Sequence, residues 1–351
     1  MIDTVRILTK IDKEIYNIIH ENSIIKNSFN AKTGEIYYSI SSNHLPGSYS
    51  SSLFVRAYDR GEKFGFADSC VLVVERSVHK LVFGQNAYNG FYDLKVVVDY
   101  LKFFVENAYC VKLPNYERWY LLRIDIAKCF DLGSQNNVCK YINSLSNLDF
   151  PRRNLKYYKD SCIYFTGTTT TLKIYNKLLE FKAHDRSKLL KINSFNLEDH
   201  ENIISNFVRL ELEIKKKKLL SLFQKINGAI VKNVRCIDFN YDILVSIWVD
   251  EFMKVLKVNL NGLKKVSDKD LVKERLYSIY GENYGNNLYN FYLSLCIDGC
   301  KSVRKCMSKS TYYRKINDLK NADIDFVSNK ISVVYNSDNC FVDIFQLKEV
   351  A

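Results

Sequence analysis

Residues 206–214 constrain the fold more than any other segment. Val208, Leu210, Leu212 and Ile214 take every second position, and Arg209, Glu211 and Glu213 fall between them. Side chains of a strand alternate between its faces, so this segment calls for a sheet with one apolar face and one charged face. Similar strand-like runs occur at 4–9, 35–40, 52–58 and 70–75, with breaks at Pro46-Gly47-Ser48 and Asp59-Arg60-Gly61. Others follow at 119–127, 161–166 and 170–175. Short strands between turn residues predict antiparallel pairing. Between them, 92–107 carries Leu94, Val97, Val98, Leu101, Phe104 and Val105 at helical spacing. Further helices are expected near 134–146 and from Asn176. The first 230 residues thus read as an α+β domain, a central antiparallel sheet with flanking helices.

The pattern becomes helical from about 241, where Ile243, Leu244, Ile247, Trp248, Phe252, Val255 and Leu256 form an apolar stripe. Residues 231–285 read as a helical connector, and 286–351 as a separate helix-turn-helix-like module. There a helix over Leu288–Ile297 breaks at Asp298-Gly299, and a short helix covers Ser302–Met307. Ser308 is the expected N-cap of a helix over Lys309–Lys320. This last helix would present Ser310, Tyr312, Tyr313, Arg314 and Lys315 to duplex DNA, with Tyr and Arg reaching bases and Lys contacting phosphates. Strands at 330–335 and 340–346 around Asn336-Ser337-Asp338-Asn339 would supply the wing of a winged helix. A docking or dimer element is the competing reading.

With 351 residues and 47% apolar content, the chain can bury a core without metal or disulfide staples. The formal charge of +12 and the 14% aromatic content fit a nucleic-acid partner, cations for phosphates and rings for unpaired bases. AT-rich coding would enrich the same residues. No apolar run reaches spanning length and the N-terminus lacks a signal-peptide pattern, so a cytoplasmic protein with no membrane partner is expected. The 10 Cys are scattered without a C-x-x-C pair; Cys296, Cys300 and Cys306 lack a matching second half, so free thiols are expected, not zinc.

Four segments carry chemistry. In Thr171–Glu180, Tyr175 lies between Lys173 and Lys177. A phenol titrates near 10 and is a poor nucleophile until a cation or metal makes phenolate available. Most tyrosines near lysines are structural. In Arg123-Ile124-Asp125, an Asp inside an apolar strand needs a cation, and Arg123 alone would serve. Arg209, Glu211 and Glu213 share one strand face, as on any half-exposed strand. Gly84-Gln85-Asn86 makes a tight loop that suits either a phosphate or a plain turn. Together these supply what metal-assisted attack of a tyrosine on a phosphodiester requires. Oxygen ligands suit Mg²⁺ or Mn²⁺. Glu75, Asp125 and Glu213 are the expected ligands from strand position and charge, and Lys173 and Arg209 are expected to face DNA.

In this order the segments resemble the gene II/gene X replication initiators of filamentous phages and their plasmid relatives. The likeness runs from Met1-Ile2-Asp3 and Gly47-Ser48 through Leu53-Phe54-Val55-Arg56, Glu75, His79-Lys80, Gly84-Gln85-Asn86 and Asp93-Leu94. It continues through Arg123-Ile124-Asp125, Thr171–Glu180 and Arg209–Glu213. The resemblance implies a fold like that of rolling-circle initiator nucleases and makes Tyr175 the DNA-linked nucleophile, with Lys177 as the matching lysine. It implies nicking and joining of one strand at a replication origin, on duplex and single-stranded DNA. A 5′-phosphotyrosine would form and a 3′ hydroxyl would remain for a host polymerase, alongside a host helicase. One departure is Gln85 where the family loop carries His; His79, six residues earlier, is the expected substitute. Two other classes stay open. One is a non-enzymatic helix-turn-helix regulator. The other is a conjugative relaxase, disfavoured because no three-His cluster is present.

Overall fold

The computed structural model describes residues 1–29, 31–34, 36–46, 52–147, 150, 152–192, 195–260, 269–322 and 324. The alternating segments form one antiparallel sheet. In chain order its strands are β1 (Ile2–Ile11), β2 (Ile24–Phe29), β3 (Ile36–Pro46), β4 (Ser52–Tyr58), β5 (Cys70–Ser77) and β6 (Tyr120–Asp131). β7 (Asn154–Tyr158), β8 (Cys162–Thr166), β9 (Thr170–Asn176), β10 (Phe207–Lys215) and β11 (Val234–Arg235) follow. Across the sheet the order is β2-β3-β4-β5-β1-β6-β10-β9-β8-β7, and β11 adds to β6. The first strand therefore lies in the middle, between β5 and β6.

The helices of this part are α1 (Lys13–Glu21), α2 (Val78–Phe83), α3 (Leu94–Tyr109), α4 (Gln135–Ser144), α5 (Lys177–His184), α6 (Arg186–Leu189), α7 (Leu197–Ile204), α8 (Lys216–Asn227) and α9 (Tyr241–Leu260). The predicted α3 is capped by Asp93, whose side chain accepts from Lys95 N. Its apolar stripe meets the inward residues of the sheet in one core. Val208, Leu210, Leu212 and Ile214 are fully buried there, each burial being worth about 1.5–3 kcal/mol. Trp248 of α9 joins them and donates from its indole nitrogen to Leu210 O at 3.3 Å.

This core extends through Val234, Phe239, Leu244, Trp248 and Phe252 to Val255. Residues 231–255 thus belong to the sheet domain and are not part of a connector. β11 and the Trp248 contact tie them to it. A second core begins at Val272 and runs to Ile324.

The opposite face of the sheet carries two smaller apolar clusters. Leu8, Tyr58, Val71, Val73 and Leu122 form one, and Ala87, Cys129, Phe181, Leu189, Ile204 and Phe207 form the other. By strand alternation, the charged residues of β5, β1, β6, β10 and β9 lie between these two clusters.

The second core is built from α10 (Lys269–Lys305) and α11 (Lys309–Asn321). Gly281 (φ 74°, ψ 166°) and Gly299 (φ 78°, ψ 157°) interrupt α10 with left-handed backbone that a side chain would resist. The second break is the predicted Asp298-Gly299 turn. Ser308 caps α11 as expected, accepting from Thr311 N at 3.2 Å. Tyr312 is a correction. It stands on the stripe with Ile316 and Leu319, is 1% exposed and packs edge-on against Phe291, so it does not face DNA. Lys309, Ser310 and Arg314 are exposed, and Lys315 is half-buried with its ammonium over the Phe291 ring. The expected wing, 330–335 and 340–346, lies outside the described residues. Among the described residues no helix is long and apolar enough to cross a membrane.

Candidate active site

Strand register assembles the site. Across β6, β10 and β9, Asp125 pairs with Glu213 and Glu213 with Thr171. In the next row Ala127 pairs with Glu211, Glu211 with Lys173 and Lys173 with Tyr164 of β8. In the third, Cys129 pairs with Arg209, Arg209 with Tyr175 and Tyr175 with Cys162. Directly opposed residues share a face, so one face gathers carboxylates, cations and the tyrosine.

Two cations hold the carboxylates. Arg123 binds Asp125 through Nε at 2.8 Å and Nη2 at 2.5 Å, and lies 3.3 Å from Glu75 and 3.4 Å from Glu213. The Lys173 ammonium lies 2.7 Å from Glu211, 3.4 Å from Glu213 and 3.6 Å from Asp125. Asp125 is fully buried. Burial pushes its carboxyl up and Arg123 opposes this, but with the charge of Glu211 nearby it reaches about 7. Burial also disfavours the Glu211 anion, yet Lys173 and Arg209 outweigh it and hold Glu211 below the usual carboxylate range.

Tyr175 lines a cleft of about 530 Å³ together with Glu75, Lys173, Glu211, Lys80, Glu180 and Phe54, among others. Its hydroxyl donates to Glu211 Oε2 at 2.9 Å. The side chain is 7% exposed, and burial together with the Glu211 charge raises the phenol well above its ordinary value. The tyrosine is thus joined through Glu211 and Lys173 to Asp125 and Glu213, and it shares the cleft with Glu75.

Three other expected site residues are placed differently. Arg209 is fully buried and does not reach DNA. Its Nη2 pairs with Asp3 at 3.3 Å, its Nη1 donates to Asn86 O, and its Nε lies 3.8 Å from Glu211. An arginine there must be paired, and β1 brings Asp3 to it. Lys177 begins α5, the helix expected from Asn176, and is buried. Its ammonium binds Asn86 Oδ1 at 2.7 Å and Glu180 Oε2 at 2.5 Å, in the interior. His79 is fully buried with both ring nitrogens facing backbone carbonyls, those of Gln85 and, at 2.5 Å, Asn89. Neither nitrogen is free for a metal.

The loop after α2 also points inward. Gln85, where the resemblance leads one to expect a His, accepts from Ala87 N at 2.6 Å and donates to Tyr88 O at 3.1 Å, closing the turn. Asn86 donates to Asp3 at 3.0 Å. The loop fastens β1, β10 and α5 together. Sequence reasoning did not assign roles to Glu211 and Asp3. Glu211 stands in the charged row of β10, but only the β9–β10 register sets it diagonally across from Tyr175.

Residues 1–236 match the family model for the N-terminal region of the phage replication-associated protein encoded by gene II. The chain belongs to that family. The family region takes in the eleven strands described above and every residue of the cleft, and it leaves α9 to α11 outside. A rolling circle replication initiator protein from Geobacillus stearothermophilus is similar at 10% identity with a TM-score of 0.26, covering 64% of this chain and 77% of that one. No curated protein matches the sequence.

Among the described residues, the expected Mg²⁺ or Mn²⁺ ligands do not form a ready site. Among the described residues, no group of three His, Cys, Asp or Glu side chains is arranged to hold a metal ion. The reason lies in Lys173, whose ammonium stands within 4 Å of Asp125, Glu211 and Glu213 and makes the charge compensation a divalent ion would make. Arg123 does the same between Glu75, Asp125 and Glu213.

Proposed function

We propose that this protein initiates rolling-circle replication by nicking and rejoining one DNA strand through Tyr175. The observation that carries the reading is the Tyr175–Glu211 hydrogen bond in the cleft. A phenol held neutral by burial needs a base at contact distance, and Glu211 is kept ionised by Lys173 and Arg209. In nicking, the Tyr175 proton passes to Glu211 Oε2 and the phenolate oxygen bonds to phosphorus. The bond from phosphorus to the 3′ oxygen breaks, and that oxygen leaves as a hydroxyl after taking a proton from water. Lys173 and Arg123 neutralise charge on the phosphate oxygens. In joining, a 3′ hydroxyl gives its proton to water and its oxygen bonds to phosphorus, the bond from phosphorus to the Tyr175 oxygen breaks, and Tyr175 takes back the proton held by Glu211. The free 3′ hydroxyl serves a host polymerase, with a host helicase opening the duplex. Lys309, Arg314 and Lys315 of α11 contact the origin duplex.

The test is a Tyr175→Phe variant on supercoiled DNA carrying the cognate origin. It is expected to bind the DNA but neither relax it nor form a covalent adduct, whereas the wild type does both. An adduct formed by the variant would move the nucleophile elsewhere. A wild type that binds the origin but never nicks it would favour a regulator acting through α11.

A further inference from the structure

A second feature of the sheet face lies outside the carboxylate centre. Register aligns His44 of β3 with Phe54 of β4, Phe54 with Glu75, Glu75 with Arg6 of β1, and Arg6 with Arg123. Opposed residues share a face, so this is one row across five strands, about 19 Å long at ~4.8 Å per strand. The row begins with rings. His44 is exposed and lies 5.1 Å, centroid to centroid, from Phe54. The Arg56 guanidinium sits 4.6 Å from the centre of the Phe54 ring.

Two arginines here are fixed but not used up. Arg56 donates from Nη1 to Tyr58 at 3.4 Å, and Arg6 lies 3.6 Å from Glu75. Both Nε atoms are buried, that of Arg6 facing Glu75, while the Arg6 side chain as a whole stays 35% exposed. Glu75 is the acid in the row and orients Arg6, whereas Arg123 at the end of the row is fully engaged by Asp125, Glu75 and Glu213. Phe54 also lines the cleft that holds Tyr175, so the row is continuous with the candidate site.

We infer that His44, Phe54 and Arg6 of this row, with Arg56 two residues along β4 from Phe54, form a track for a single DNA strand leading to the Tyr175 cleft. Rings level with a sheet surface, with guanidinium groups beside them, suit alternating base faces and phosphates. A duplex hides its base faces and gains only the charge. The inference takes from the nicking reading what the strand is doing there, but its binding chemistry stands apart from Tyr175.

The test uses the full chain with Tyr175→Phe, so that nothing is cut, and a fluorescein-labelled oligothymidylate read by anisotropy. Adding Phe54→Leu, which keeps apolar bulk but removes the ring, is expected to weaken binding about tenfold, and Arg56→Gln by a similar factor. Phe54→Tyr should bind like the parent. Binding to a random duplex of the same length should change by less than about twofold with Phe54→Leu. Thermal melting checks that each variant is folded. Folded variants that hold the oligonucleotide as tightly as the parent overturn the track, as does an equal loss on duplex. Covalent adduct formation by the wild type is measured separately, so failure of the nicking chemistry and failure of the track are distinguishable.

Discussion

The Tyr175 hydroxyl and the Glu211 carboxylate face each other across the β9–β10 pair, 2.9 Å apart. They are not directly opposed in register: Glu211 pairs with Lys173 and Tyr175 with Arg209. The contact is a diagonal one, and Lys173 holds the second oxygen of Glu211 at 2.7 Å. The carboxylate therefore has one fixed orientation towards the phenol.

Glu211→Gln keeps the shape and leaves an acceptor oxygen but cannot take a proton. Its nicking rate is expected to fall by about 10²–10⁴, with origin binding unchanged in a gel-shift assay. Wild-type turnover by this variant would remove Glu211 from the proposed chemistry.

Lys173→Met leaves Asp125, Glu211 and Glu213 without their shared ammonium. Removing one partner from such a cluster costs about 3–5 kcal/mol when fully buried, and less here because Lys173 is partly exposed. The expected gain is a cation site: thermal melting of the variant should rise with added Mn²⁺ far more than that of the wild type. Equal responses would show that Lys173 does not stand in the way of an ion.

Acid stability should report Glu180. Burial disfavours its anion, but Lys177 and Lys80 outweigh this and lower it to about 2 from 4.5. The folded value lies below the unfolded one, so this stabilisation is complete above about pH 4.5 and is lost as pH falls through about 2, roughly 3 kcal/mol in all. In urea titrations, Glu180→Gln should therefore be less stable than wild type at pH 6, with the gap closing towards pH 2. A constant gap would place the effect in packing.

Arg209 and Arg314 should separate structure from DNA contact. Arg209→Met leaves Asp3 buried without its ion pair and should destabilise the fold by about 3–5 kcal/mol. Where the variant is folded, the salt dependence of DNA binding should match wild type. Arg314→Ala, on the exposed side of α11, should leave melting unchanged and lower the slope of log K against log salt by about 1. The opposite pattern would reverse the two roles.

Much of the fold was legible because alternation fixes faces. Arg123, Asp125, Glu211 and Glu213 could be placed on the charged side from spacing alone. What spacing could not supply was register between strands, since a slip of one residue exchanges the faces and a slip of two changes every partner. That is why Glu213 was expected at the centre and Glu211 proved to be the residue on Tyr175. Arg209 looked like a DNA contact because its buried partner, Asp3, comes from the first strand. The burial of Tyr312 is legible in spacing, since with Ile316 and Leu319 it completes an i, i+4, i+7 stripe. His79 gave no such signal, because its partners are backbone carbonyls of a loop.

The central place of β1 bears on how the protein is made. The site needs Asp3 from the first strand and both Arg209 and Glu211 from β10. A nascent chain emerging at ~5–20 residues per second exposes Tyr175 before β10 exists. Until β10 inserts between β6 and β9, the phenol has neither its proton acceptor nor the arginine beneath it. Under the nicking reading, an unfinished chain on the ribosome is chemically silent, and the ability to cut DNA arrives only with the strand that closes the middle of the sheet.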